Sequence, residues 1–311
     1  MSAADRVAVA DIPEPTQLFL ISNLVVCSML WATSMLFIKF SGDINPFVLA
    51  AMRGLIGATS LVAWFTLSRQ AILPTRKELP TWLFLGTFNG WLPNVLLAFA
   101  LTQITTASAA MIQASSPLIV ALLAHLCFAE EKLTPRRLGG VLVGFIGMGI
   151  LIGPAALPDS GVGGAGALAM VATAVSYAIA NVFVRTVRHA DPARLALGQQ
   201  FCSAVPATLL ALALSGPAAF STVKDHLPPL IALGVVSTAL PILFFMRLIR
   251  RAGPTRASMV GYLMPLWTAI LAVLFLNEQV GVREMVGGLV VLSGVALVSF
   301  SGRRVRAAAR A

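Results

Sequence analysis

"LPTWLFLGTFNGWLP" at residues 79–93 returns as "LPPLIALGVVSTALP" at residues 227–241, with Leu-Pro at both ends and Leu-Gly at the same internal place. Leu79, Pro80, Leu85, Gly86, Leu92 and Pro93 recur, 148 residues on, as Leu227, Pro228, Leu233, Gly234, Leu240 and Pro241. The register continues downstream, where Pro117, Glu130, Gly139 and Gly140 meet Pro265, Glu278, Gly287 and Gly288. Composition alone does not keep prolines, a glutamate and a Gly-Gly pair in step. Earlier in each half the offset is 146: Phe37, Pro46, Leu49 and Ala50 match Phe183, Pro192, Leu195 and Ala196. In that register Trp31, Lys39 and Arg53 fall opposite Tyr177, Arg185 and Gln199. The chain therefore reads as one unit written twice, at 17–153 and 162–301, joined by a Gly- and Pro-containing linker at 154–161. Short tails at 1–16 and 302–311 flank the two copies.

Of the 311 residues 58% are hydrophobic and 11% charged. A water-soluble domain of this size cannot hide so much apolar surface, so the solvent is lipid. Crossing a hydrocarbon core of ~30 Å takes about 20 helical residues. Apolar runs of that length fall at about 17–40, 46–67, 80–102, 105–129, 136–153, 162–186, 194–214, 228–250, 255–276 and 282–301. The expected fold class is an all-α integral membrane protein of ten transmembrane helices in two inverted five-helix repeats. Inversion follows because five spans return the chain to the opposite side, so the second copy enters reversed. The first 16 residues set Asp5, Asp11 and Glu14 against Arg6. They lack the basic start and small-residue cleavage site of a secretory signal, so the first helix is expected to be retained.

Orientation is read from the cations, which resist translocation and collect on the cytoplasmic side. With a cytoplasmic N-terminus, all of the 22 Lys and Arg residues fall inside except Lys39, Arg53, Lys224 and Arg283. Both termini are then cytoplasmic. The net charge of +10 needs no nucleic-acid partner, since these cations sit in short loops beside apolar spans. Cys27, Cys127 and Cys202 stand isolated, with no disulfide framework and no metal-ligand spacing.

These residues resemble the drug/metabolite transporter superfamily, in its EamA-type branch with two such domains. The resemblance rests on Trp31, Lys39, Pro46 and Arg53, on "ALTQITTASAAMIQASSPLIVALLAHLCFAEE" at 100–131, and on "GPTRASMVGYLMPLWTAILAVLFLNE" at 253–278. It covers nearly all of 17–301. It implies ten helices, cytoplasmic termini and a central cavity lined by the first, third, fourth, sixth, eighth and ninth helices. Members of this kind export amino acids and other metabolites, and some import compounds such as vitamins. One departure is that Ala129 and Asn277 precede the paired glutamates where many members carry glycine.

Proline in a lipid-spanning helix removes a hydrogen bond and frees the carbonyl four residues earlier, which protein or cavity water must then satisfy. Pro93, Pro117, Pro241 and Pro265 would free the carbonyls of Asn89, Gln113, Ser237 and Gly261. Kinks and spare acceptors are thus expected near mid-membrane, where repeat-built transporters place their substrate. Gln113, Ser116 and Pro117 share one helical face. Asn89, Trp91 and Asn94 lie at the centre of the third helix, although Asn89 and Trp91 occupy different faces. Trp31, Ser176, Tyr177, Asn181, Ser237, Thr238, Tyr262 and Trp267 complete a candidate lining, aromatic and amide-rich, that suits a small amphipathic or zwitterionic solute. The alternative assigns the aromatics to interfacial belts and the polar residues to helix–helix contacts. Arg53 lies deep enough to be either a cavity cation meeting a substrate carboxylate or a side chain snorkelling outward. Lys39 and Arg247 read as topological anchors, and His125 as a packing residue.

None of the twelve carboxylates sits at mid-membrane, which argues against proton-coupled export of organic cations through a buried acid. No H-E-x-x-H, G-x-S-x-G or P-loop is present, so no enzyme activity is expected. The reading is an inner-membrane secondary transporter working by alternating access, exporting amino acids or related small metabolites. A drug exporter and a vitamin importer are the alternatives. Its partners are a small-molecule substrate and the lipid bilayer, with no cofactor and no metal. A monomer suffices for the mechanism, and a homodimer is compatible with it.

Overall fold

A computed structural model describes residues 16–69, 76–128, 134–152, 163–184, 186–187, 191–252, 257 and 260–308. The helical segments are α1 Gln17–Phe40, α2 Pro46–Leu67, α3 Leu79–Leu101, α4 Thr106–Cys127, α5 Pro135–Ile152, α6 Gly163–Val184, α7 Pro192–Ser215, α8 at 227–252, α9 Val260–Leu276 and α10 Val282–Ala308. No strand occurs among the described residues. By length and composition, 7 helical spans are apolar enough to cross a membrane: α1 to α4, Gly164–Val184, Ala193–Ser215 and Pro217–Leu248. Leu263–Leu276 is a shorter apolar helix. Their outer faces carry large apolar side chains in the open, among them Leu168 at 64% and Leu209 at 61% exposure, a surface that lipid covers and water would not.

Helix starts follow local chemistry. Thr16 Oγ1 accepts from the Phe19 N–H at 3.2 Å, and Thr105 Oγ1 from the Ser108 N–H at 3.2 Å. At α2 the Asn45 side chain accepts from Phe47 at 2.9 Å, and at α7 Asp191 accepts from Ala193 at 2.7 Å. In both cases proline follows the cap, at Pro46 and Pro192, where its missing N–H costs nothing. The repeated prolines at these two places are therefore helix openers.

Packing crosses between the halves. α1 lies against α8 and α9, while α6 lies against α3 and α4. α2 packs on α8 as α7 packs on α3, and α2 with α7, α4 with α9 and α5 with α10 meet their own counterparts. The α5–α10 contact is close because both helices present glycine to it. A Cβ on Gly294 would stand 2.5 Å from the Gly144 nitrogen and 2.6 Å from the Gly140 oxygen, and one on Gly147 would stand 2.6 Å from the Val291 nitrogen. Backbone meets backbone there, as in small-residue crossings of membrane helices.

The prolines act differently from one helix to the next. α3 runs as α-helix over Leu79–Gly86, widens to a π turn over Thr87–Trp91 and resumes at Leu92. α8 does the same over Leu227–Gly234, Val235–Ala239 and Leu240 onward, so the wide turns share the sequence register. α4 breaks between Gln113 and Ser116, just before Pro117. The expected counterpart of that break is missing, since Val260–Leu276 runs unbroken through Pro265.

At the end of α9, Asn277 has φ +52, a left-handed conformation that asparagine tolerates better than most residues. It turns the chain so that Glu278 caps α4 from the other half: Oε1 accepts from the Thr106 N–H at 3.0 Å and Oε2 from the Ala107 N–H at 3.2 Å. A glycine, which the family this chain resembles often carries here, adopts that φ at no steric cost. The equivalent residues Ala129 and Glu130 lie outside the described residues.

Gly294→Leu is expected to lower the thermal unfolding midpoint in detergent, with an overpacking cost of about 1–3 kcal/mol or more because the clashing atoms are backbone. Gly149→Leu, on the partner helix α5 with nothing within 4 Å, is the control and should leave the midpoint in place. Glu278→Ala should cost about 1–3 kcal/mol through the loss of two charged hydrogen bonds, read in the same measurement. Glu284→Ala, whose bond from Ser108 is 3.5 Å long, should cost clearly less than Glu278→Ala.

Candidate functional site

A widened turn leaves carbonyls without their usual helical donors, and in lipid each must find another. In α3 the Asn89 carbonyl, four residues before Pro93, accepts from Gln199 Nε2 at 3.2 Å, while Asn89 Nδ2 donates back to Gln199 Oε1 at 2.9 Å. The Phe88 carbonyl, five residues before Pro93, accepts from Ser176 Oγ at 2.7 Å. Both acceptors that the proline leaves open are thus met by α6 and α7 of the other half. Gly90 has φ −123 and ψ −109, outside helical values, and a Cβ there would stand 2.7 Å from Ser203 Cβ, so α7 can approach only glycine.

The turn in α8 is held by the mirror set of helices, α1 and α2. Ser237 Oγ and Thr33 Oγ1 share a hydrogen bond at 2.7 Å. Thr238 Oγ1 donates to the Leu233 carbonyl at 2.8 Å and accepts from Arg53 Nε at 3.1 Å. Cys27 Sγ donates to the Pro241 carbonyl at 3.4 Å. Arg53 and Gln199, opposite one another in the repeat register, therefore grip the wide turns of α8 and α3 respectively.

Arg53 is 9% exposed and turned inward, not snorkelling toward a helix end. Its Nη1 is buried with no hydrogen-bond partner. Tyr177 lies close enough to interact with it electrostatically. Among the described residues no carboxylate pairs with Arg53. The ion pairs Arg194–Glu78 at 3.7 Å and Arg283–Glu284 at 3.5 Å lie at helix ends. No group of three or more His, Cys, Asp and Glu side chains that could hold a metal occurs among them.

Arg53, Tyr177, Ser237 and Thr238 form one polar cluster, and Asn89 with Gln199 forms another. Ser176 and Tyr177, adjacent on α6, serve one each. Gln113 and Trp267 are half-buried, and Gln113 Oε1 and Trp267 Nε1 are buried without partners. Ser116 Oγ donates to the Ala174 carbonyl at 3.3 Å, joining α4 to α6 just after the break. Asn94 is buried in the second part of α3. Pro93, Pro241 and Pro265 are buried and Pro117 is half-buried.

Three further residues of the expected lining have other partners. The Trp31 ring lies tilted against Phe245, centroids 5.1 Å apart, beside an apolar cluster of α1, α8 and α9. Trp91 packs on Ala50, Ala51 and Ala207 between α2 and α7, while its Nε1 donates to Thr87 Oγ1 at 3.3 Å. Asn181 is exposed and donates to the Tyr177 carbonyl at 2.8 Å, one turn back on its own helix. The side chain of Tyr262 lies outside the described residues.

Thr33 and Gln199 were not singled out by reading polar residues near prolines, because they sit far in sequence from the turns they serve. Their signal was the repeat register, which sets Gln199 opposite Arg53. Phe84, stacked on Phe183 at 4.0 Å and tilted against Phe88 at 4.7 Å, adds an aromatic seam between α3 and α6.

Comparison with known proteins agrees with this architecture. An uncharacterized transporter of Archaeoglobus fulgidus is 26% identical over 287 residues, 89% of this chain and 96% of its own length. A chloroplastic WAT1-related protein of Arabidopsis thaliana is 27% identical over 282 residues, 87% of this chain and 67% of its own. A solved crystal structure superposes with a TM-score of 0.66 at 20% identity, over 92% of this chain and 98% of that one, a likeness of fold. The EamA-like transporter family matches residues 18–153 and then, separately, 164–300. Two matches to one family, over the two stretches whose wide turns hold each other's partners, account for the chain from end to end: it is a membrane transporter and belongs to the EamA-like transporter family.

Proposed function

We propose that the chain is a secondary transporter of small metabolites, built of ten spans in two inverted five-helix repeats at 17–153 and 162–301 and working by alternating access. The observation that carries this reading is the pair of wide turns at one register, Thr87–Trp91 and Val235–Ala239, each held by the first and second helices of the opposite half. A turn that depends on the other repeat for its hydrogen bonds shifts when the repeats move, and two such turns related by inversion favour two mirror-like states. The exchange of packing partners, α1 with α8 and α9 against α6 with α3 and α4, supports the same symmetry.

Placement in a bacterial inner membrane with cytoplasmic termini is supported by the ends of the bundle. Asn45 Nδ2 donates to Ser215 Oγ at 2.8 Å and Lys39 Nζ to the Ile104 carbonyl at 3.4 Å, gathering the cation-poor loops at one end. Arg251, 5.1 Å over the Phe19 ring, and Arg194 with Glu78 mark the cation-rich end, the cytoplasmic one by charge bias. The solute is an amino acid or a related metabolite, moved outward. Supporting this are the inward Arg53 and the unpartnered polar atoms of Gln113 and Trp267.

The test compares metabolites in the medium of cells with and without the gene, and then flux in vesicles loaded with whatever accumulates. Amino acids or close relatives should accumulate outside only when the intact gene is present. Asn89→Ala combined with Gln113→Ala and Trp267→Ala should cut that flux by about tenfold or more, the equivalent of one lost buried hydrogen bond, in protein that still folds. Unchanged flux in the triple variant removes the site assignment. Resistance to lipophilic cations without resistance to toxic amino-acid analogues replaces metabolite export with drug export.

A further inference from the structure

We infer that Arg53 is the seat for an anionic group of the transported solute, a carboxylate in the first place, so that the site is polar in the literal sense: one half takes the acid end and the other does not. The inference rests on the transport function proposed above. A guanidinium held in a bundle interior with no counter-charge is costly, by several kcal/mol before compensation. A single neutral hydrogen bond, from Nε to Thr238, compensates little of that.

The geometry of that bond leaves specific donors unused. The Thr238 proton is committed to the Leu233 carbonyl, so its oxygen faces Arg53 as an acceptor and fixes Nε. What remains is the terminal edge of the guanidinium, where Nη1 is buried and unpartnered. Two N–H groups side by side on a planar fork match the two oxygens of a carboxylate, which a lysine ammonium or a neutral amide does not. Tyr177 of α6 lies within electrostatic reach of Arg53.

The other half of the molecule provides an internal control. Gln199 stands where Arg53 stands in the register and also holds a wide turn, but it carries no charge: its Oε1 accepts from Asn89 Nδ2 and its Nε2 donates to the Asn89 carbonyl. Holding the turn therefore needs only an amide. The charge at position 53 exceeds that need, and topology does not explain it either, since Arg53 is inside α2 and away from either loop. A ligand that brings the missing negative charge accounts for it.

The experiment uses the full chain purified in detergent and, in parallel, reconstituted in liposomes. Its probes are a panel of 2-amino and 2-oxo acids with aliphatic and aromatic side chains, each beside its primary amide, with sodium chloride against sodium gluconate as the inorganic arm. At least one acid should raise the unfolding midpoint and enter liposomes where its amide does neither. Arg53→Gln, which copies the residue of the other half, should weaken that acid at least about tenfold and abolish the preference over the amide. Arg53→Lys should fall between. If Arg53→Gln does not fold, the acid-over-amide ratio of the natural protein and of Arg53→Lys decides alone. Amides as effective as acids, a preference that survives in Arg53→Gln, or stabilisation by chloride equal to that by any acid each overturn the inference. Equal flux of acid and amide removes the anion seat and keeps transport. Acid-specific stabilisation without flux of any probe keeps the seat and removes transport.

Discussion

In hydrocarbon a backbone carbonyl without a donor has no water to turn to, and this constraint organises the whole chain. Pro93 and Pro241 each delete an N–H in the middle of a span, and each is preceded by a turn one residue too wide for an α-helix. The acceptors opened in this way at Phe88 and Asn89 are met by Ser176 and Gln199. Around the second turn, Thr33, Arg53 and Cys27 come from the first half. Each turn takes partners from the other half, and at the second turn Thr238 also serves the Leu233 carbonyl of its own helix. The bundle is thus held at its centre by directional bonds between halves, and elsewhere by glycine contacts and apolar packing, which tolerate sliding far better.

Much of this could be read before any coordinates. The limits of α1 and α2 coincide with the apolar runs because Thr16 and Asn45-Pro46 are unambiguous helix starts in local chemistry. The duplication was visible because proline, glutamate and Gly-Gly are scarce enough in an apolar chain to make coincidence improbable. Placing an open carbonyl at Asn89 needed only the proline rule. Its donor was another matter: Gln199 is 110 residues away, and no local pattern states which polar residue meets which turn. The π turns were also illegible, since a turn of five residues uses the same apolar alphabet as a turn of four. For the same reason Pro117 and Pro265, alike in sequence, gave a broken α4 and an unbroken α9.

The two halves have kept the scaffold in common and divided the chemistry. Gly86 and Gly234 both let a neighbouring helix approach, from Cys202 in one case and Ile56 in the other. Around them the residues differ: Arg53 against Gln199, Gly90 against Thr238, Trp31 against Tyr177. On the alternating-access reading proposed above, the shared backbone serves the two end states and the differing side chains orient the solute.

The wide turns also constrain how the gene can vary in length. Each holds one residue more than an α-helix needs, so deleting any one position within 87–91 would let the helix close regularly and turn everything after it by about 100°. Asn94 and Leu97, now buried, would swing toward neighbours chosen for other side chains, and the carbonyls served by Ser176 and Gln199 would turn away from them. Substitutions at Phe88 or Val236 change a surface; a one-codon deletion there changes the reading frame of the packing itself. Indels in this chain are therefore confined to its loops, and the spacing between Leu85-Gly86 and Leu92-Pro93 is fixed more tightly than the identity of most residues inside it.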